Sequence, residues 1–117
     1  MIDNQRLMAL AAAAAQAAGD LQMQRIGQVM RIEYKGEANI VTEVDKASED
    51  LIVQMIHAQF PDHDIVSEES DIYRKQSDIR WYIDPLDGTT NYAHGFPFFA
   101  VSIGCHSLMP ASRTARA

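Results

Sequence analysis

The sequence predicts a layered α/β domain of the α+β kind, with helices early in the chain and strands late. Three observations predict it: a helical apolar period from Asn4 to about Met30, a second from about Lys46 to Phe60, and three short extended stretches beyond Pro61. In the first segment Leu7, Leu10, Ala14, Ala17, Ala18, Leu21 and Met23 recur at steps of three and four. Alanine is the strongest helix former, and its small face suits close packing on another helix. Gly19 is the position where this helix is expected to weaken or kink. Glu33 to Asn39 is polar, with Gly36 as a turn, and Ile40 to Val44 reads as extended. The second helix takes its cap from Asp45 or Thr42, and Glu49 and Asp50 sit near the positive end of its dipole. Ala47, Leu51, Met55 and Ala58 carry its period, with Ile52, Ile56 and Gln59 alongside, and Pro61 stops it. The three strands are Asp64 to Ser67, Arg80 to Ile83, and Phe98 to Gly104. From Cys105 to Ala117 no period is left. This tail reads either as a frayed terminus or as translation out of frame, and composition does not separate the two.

A chain of 117 residues, 47% hydrophobic and 22% charged, has the composition of one globular domain rather than of a disordered segment. Its net charge of −6 disfavours nucleic acid and membrane surfaces, both of which are anionic. The acids are concentrated. Residues 33–87 hold fourteen acids and five bases, a local charge of −9. The single cysteine, Cys105, excludes an internal disulfide and fits a reducing compartment. Leu7 to Ala18 is apolar apart from Gln16, but Asp3 offsets Arg6, so the segment lacks a positive leader; it is also too short to span a bilayer. The expected location is the cytoplasm, with no membrane and no direct nucleic-acid partner.

The chemistry is concentrated in WYIDPLDGTTN, residues 81–91. A strand through Trp81 and Ile83 delivers Asp84 to its C-terminal end, and Pro85 stiffens the turn that follows. Asp84 and Asp87 are then held at fixed spacing with the Leu86 carbonyl between them. Two carboxylates and a carbonyl are hard oxygen donors, suited to Mg²⁺ rather than to zinc. Gly88 permits close backbone approach, the amides of Gly88 and Thr89 can open onto a phosphate, and the Thr89 hydroxyl can orient a water. Upstream, Ser67-Glu68-Glu69-Ser70 ends another strand with two more carboxylates. Taken singly, Asp-Pro-x-Asp-Gly is a surface turn, Glu68-Glu69 a solvated pair and Asp45 a helix cap. The chemical reading rests on their joint presence, in order, at the ends of elements.

Those segments resemble the inositol monophosphatase family of Mg²⁺-dependent, lithium-sensitive phosphatases: VTEVDKASE (41–49), VSEES (66–70), WYIDPLDGTTNYAHGFPFFAVSIG (81–104) and the Lys35-Gly36 pair. The resemblance runs from near residue 4 to Gly104. It divides the chain into 1–104, the N-terminal part of such a domain, and 105–117, a tail outside the family pattern. It implies a layered sandwich with two long helices packed on a mostly antiparallel sheet. Residue by residue, it implies that Glu68, Asp84 and the Leu86 carbonyl hold an activating metal. Asp84 and Asp87 would share a second. Thr89 and Asp45 would position and help activate the attacking water, with Glu68 beside them. The Gly88 and Thr89 amides would cradle the phosphate, with Asp87 and Lys35 near the substrate, while Glu69 stays structural. The reaction implied is metal-assisted hydrolysis of a phosphate monoester without a phosphoenzyme. His57, His63, His94 and His106 are then surface or packing residues.

Thr89-Thr90-Asn91-Tyr92 resembles the inositol phosphatase pattern and points to inositol 1-phosphate, with fructose bisphosphate and nucleotide bisphosphates as alternative substrates. The family's later WDxAAG-type motif, which supplies a further metal aspartate, has no match in this sequence. The chain alone is therefore expected to be weakly active or inactive. Its Phe96, Phe98 and Phe99 are expected to present an apolar patch that favours self-association, as a homodimer or as aggregate. A reading of a different class comes from bacterial relatives of the extragenic suppressor type, which bind RNA polymerase through surfaces that no motif reports.

Overall fold

Asp3 opens the first helix: its carboxylate accepts from the amides of Gln5 and Arg6, which are among the donors a helix start leaves without partners. In the computed structural model, which describes residues 3–28, 32–35, 39–67, 76–107 and 114–116, this helix is α1, Asn4–Arg25. It passes through Gly19 without a break and stops five residues before Met30, where Ile26 turns extended and Gly27 takes φ +79°. Its buried face is Leu7, Leu10, Ala11, Ala14, Ala18 and Gln22. Met23, expected on that face, is exposed, and the polar Gln22 takes the inward position.

After α1 come β1 (Ile32–Lys35) and β2 (Asn39–Thr42), an antiparallel pair that forms its own two-stranded sheet. Helix α2 spans Glu43–Gln59. It starts three residues earlier than the apolar period predicts because Thr42 and Asp45 cap it together. The Thr42 hydroxyl accepts from the Val44 and Asp45 amides, while the Asp45 carboxylate accepts from the Thr42 amide. The inward face is Val44, Asp45, Ser48, Glu49, Ile52, Val53 and Ile56. Leu51 and Met55, expected at its centre, are only half-buried. Asp45 and Ser48 turn inward onto hydrogen-bond partners, the Thr42 hydroxyl and the Gln22 amide, while Glu49 accepts from the exposed Lys46.

The main sheet has the order β3-β4-β5-β6, from β3 (Asp64–Ser67), β4 (Ile79–Asp87), β5 (Ala100–Ser107) and β6 (Thr114–Arg116). β3 runs parallel to β4, whereas β4–β5 and β5–β6 are antiparallel, so the sheet is mostly antiparallel. β3 matches the predicted strand, and β4 continues four residues past Ile83. β5 begins at Ala100 rather than Phe98 and runs to Ser107, burying Cys105 and Ser107 beyond the expected end at Gly104. Burial pushes the Cys105 thiol up to about 12, so it packs as a neutral group.

Helices α1 and α2 cover one face of this sheet. The core joins Leu7, Leu10, Ala14 and Ala18 to Ile52 and Ile56, and both helices to Ile65, Trp81, Ile83 and Ile103. Trp81 is fully buried, and its indole N–H donates to His63 Nδ1 at 3.0 Å; His63 in turn stacks on Phe60 at 4.4 Å. Among the described residues, no helix is long and apolar enough to cross a membrane.

Candidate metal and phosphate site

The site begins with an irregularity in β4. Asp84 pairs with Ser102 and Asp87 with Ala100, so Pro85 and Leu86 together face Val101 alone. Proline has no N–H to give the ladder, and the extra residue is taken up as a bulge. The bulge turns two successive carbonyls out of the ladder. The Pro85 carbonyl accepts from Gln22 Nε2 at 2.7 Å, and the Leu86 carbonyl lies 3.1 Å from the Thr89 hydroxyl. The Leu86 side chain meanwhile is buried with Val44 and Tyr92 in a small second core directly beneath the site.

Gly88 ends the turn at φ +90°, ψ 36°. A Cβ there would lie 2.8 Å from the Phe98 carbonyl oxygen, so both the left-handed backbone and the close approach require glycine. The five-residue helix α3 (Thr89–Ala93) follows. Tyr92 anchors it from below: the ring meets Phe99 edge-on at 4.9 Å and the hydroxyl donates to the Gln22 carbonyl at 2.7 Å. Burial raises the Tyr92 phenol above its ordinary value, which keeps it a donor.

Thr89 Oγ1 lies 2.9 Å from Asp45 Oδ1. The hydroxyl has one proton and two acceptors in reach, the Asp45 carboxylate and the Leu86 carbonyl, and the nearer is Asp45. Asp45 is only 1% exposed, and its Oδ2 accepts from the Thr42 hydroxyl at 2.8 Å and the Thr42 amide at 3.2 Å. Among the described residues, the half-buried Thr89 links it to the surface of the site.

Of the residues predicted from the sequence, Asp45, Thr89 and the Leu86 carbonyl are joined by hydrogen-bond distances, with Gly88 adjacent. Asp84, half-buried, and Asp87, exposed, flank the bulge. Lys35 ends β1, and nothing is described of its side chain. Glu68 and Glu69 lie outside the described residues; Ser67 before them pairs with Ile83, so β3 ends beside the residue preceding Asp84. The sequence reading missed Gln22, Ser48 and Tyr92. The available signal was a glutamine four residues after Ala18, on the apolar stripe of α1.

The donor chemistry fits a hard divalent cation. Asp84, Asp87 and the Leu86 carbonyl offer only oxygen, from a single bulge, and that carbonyl keeps a second lone pair beside the one facing Thr89. Among the described residues no three His, Cys, Asp or Glu side chains are grouped to hold a metal.

The family model described as the inositol monophosphatase family matches residues 3–107. The fructose-1,6-bisphosphatase/inositol-1-monophosphatase of Aquifex aeolicus is 46% identical over 101 residues, covering 85% of this chain and 38% of that protein. Nus factor SuhB of Pseudomonas aeruginosa is 42% identical over 106 residues, covering 86% and 39%. The crystal structure of extragenic suppressor protein suhB from Bartonella henselae superposes with a TM-score of 0.83 at 37% identity, over 88% of this chain and 41% of that one. The chain thus spans about two fifths of the length of these relatives. With the match extending over nearly all of its residues, through both helices, the β4 bulge and β5, the chain belongs to the inositol monophosphatase family.

Proposed function

We propose that the site serves Mg²⁺-dependent hydrolysis of a phosphate monoester, with inositol 1-phosphate as the substrate. The observation that carries this reading is the Thr89 hydroxyl 2.9 Å from the buried Asp45 carboxylate, at the end of a bulge whose oxygens suit a divalent cation. Asp84, Asp87, the Leu86 carbonyl and Glu68 are the residues assigned to Mg²⁺. When bound, the cation supplies charge stabilisation and lowers the pKa of water. The chain's own residues then divide the work. Water enters beside Thr89 and donates toward its hydroxyl oxygen, while the hydroxyl donates to Asp45. As the water oxygen bonds to phosphorus, its proton passes to Thr89 Oγ1 and the Thr89 proton passes to Asp45 Oδ1. The bond from phosphorus to the inositol oxygen breaks, and that oxygen takes a proton from solvent. The Gly88 and Thr89 amides and Lys35 are assigned to the phosphate oxygens.

The test is phosphate release from inositol 1-phosphate, with melting temperature followed in parallel. Mg²⁺ is expected to raise the melting temperature and to support slow release. Thr89→Ala is expected to lower that release by about 100-fold, the scale of a lost proton-transfer group. If Mg²⁺ left both stability and turnover unchanged, the reading would be wrong.

The 42% identity to a protein named Nus factor SuhB favours a second reading, in which a surface of this chain binds RNA polymerase. Binding that survives Asp84→Asn would support it, since such contacts need no metal ligand. Failure of purified polymerase to retain the wild-type chain would exclude it.

A further inference from the structure

Gln22 is fully buried in α1 on a face otherwise made of leucine and alanine. Its side-chain amide donates twice, to Ser48 Oγ at 3.0 Å and to the Pro85 carbonyl at 2.7 Å. The Pro85 carbonyl can only accept, so the amide orientation is fixed, and Oε1 is left buried with no partner among the described residues. An orphaned buried acceptor works against stability, and an apolar side chain of this size would avoid that cost. What the glutamine gains instead is position. The three elements that carry the candidate site all meet this one residue. Ser48 lies one turn from Asp45 on α2. Pro85 immediately precedes the Leu86 carbonyl on β4. Tyr92 of α3 donates to the Gln22 backbone carbonyl, one turn after Thr89.

We propose that Gln22 is a positioning residue for the cation and water site: by holding the Pro85 carbonyl against Ser48, it sets the plane of the 85–86 peptide. It thereby fixes the Leu86 carbonyl and Asp87 relative to the Thr89–Asp45 pair. The proposal rests on the reading of that bulge as a metal site. Gln22 touches no substrate in it, and acts only through the bulge.

The experiment compares the full chain with Gln22→Met, which keeps length and loses both donors, and with Ser48→Ala, which keeps the Pro85 bond. Three quantities are read: Mn²⁺ affinity by electron paramagnetic resonance, amide hydrogen exchange at residues 81–90, and melting temperature. In Gln22→Met, Mn²⁺ affinity is expected to fall by about tenfold, the scale seen when a residue supporting metal ligands is lost. Exchange at residues 86–90 rises, exchange at 81–83 stays as in the wild type, and the melting temperature does not fall. Ser48→Ala shifts the same two quantities less. Wild-type affinity and exchange at 86–90 in Gln22→Met would overturn the proposal. So would exchange that rises equally at 81–83, since that is the mark of a merely structural residue. A wild-type chain that binds no Mn²⁺ would remove the metal reading and this role together, whatever the exchange shows. Should Gln22→Met fail to fold, Ser48→Ala decides: a shift confined to 86–90 supports the proposal, and wild-type behaviour overturns it.

Discussion

At the scale of single residues, Gly88 is the most constrained of the described glycines. Alanine there would take φ +90° and drive its Cβ to 2.8 Å from backbone that no rotamer can relieve. The expected loss for Gly88→Ala is about 2–3 kcal/mol in urea unfolding, from the left-handed penalty together with the clash. A loss below about 0.5 kcal/mol would mean that Gly88 relaxes freely. His63 predicts a pH dependence. Burial lowers its pKa, outweighing the raising effect of Asp62; His57 adds to the lowering and Asp64 opposes it. Because Nδ1 accepts from the Trp81 indole, the neutral ring is the form the core needs. The unfolded chain takes its proton first as the pH falls below about 6.5. This contribution is therefore complete above that value and is lost as the pH falls toward the lowered folded one. Melting temperature is expected to drop between pH 7 and 5.5, and to drop less in His63→Gln, which retains an acceptor for Trp81. Parallel profiles for the two proteins would assign the effect to other groups.

At the scale of elements, the start of α2 is also a wall of the site, because Asp45 serves both. Thr42→Ala removes the hydroxyl that caps the helix and the one that holds Asp45 Oδ2. It should cost about 1 kcal/mol by denaturant unfolding, as lost N-caps do. It should also lower turnover by more than that stability loss explains, because Asp45 loses its orientation toward Thr89. What the sequence made legible follows from range. The α2 residues Ile52 and Ile56, strand Asp64–Ser67 and the aspartates flanking Pro85 were readable because their signals are local. The burial of Gln22 and Ser48 was not, since the two meet across 26 residues, and Gln22 meets Pro85 across 63. Hydropathy alone assigns such residues to the surface. The onset of β5 was misplaced for a similar reason. The Phe98 carbonyl is used by Asn91 Nδ2 at 3.0 Å rather than by a neighbouring strand, so the apolar FPFF run stays outside the ladder.

At the scale of the whole molecule, that run leaves Phe96 57% and Phe98 75% exposed. Apolar surface of this kind drives association. Sedimentation of the chain is expected to show concentration-dependent association that Phe98→Ser reduces; equal behaviour of the two proteins would place the contact elsewhere. The longest ties in the fold have a different consequence. Tyr92 reaches back 70 residues to Gln22, and α1 packs against β5, the strand that begins at Ala100. On a ribosome α1 emerges before β5 and α3, and waits while those neighbours are still being translated. Contacts so distant in sequence close slowly. Asp45 and Thr89 meet over a floor made by Tyr92, Leu86 and Phe99. A nascent chain released before Phe99 would therefore carry both side chains of the Thr89–Asp45 pair and lack part of the floor that brings them together.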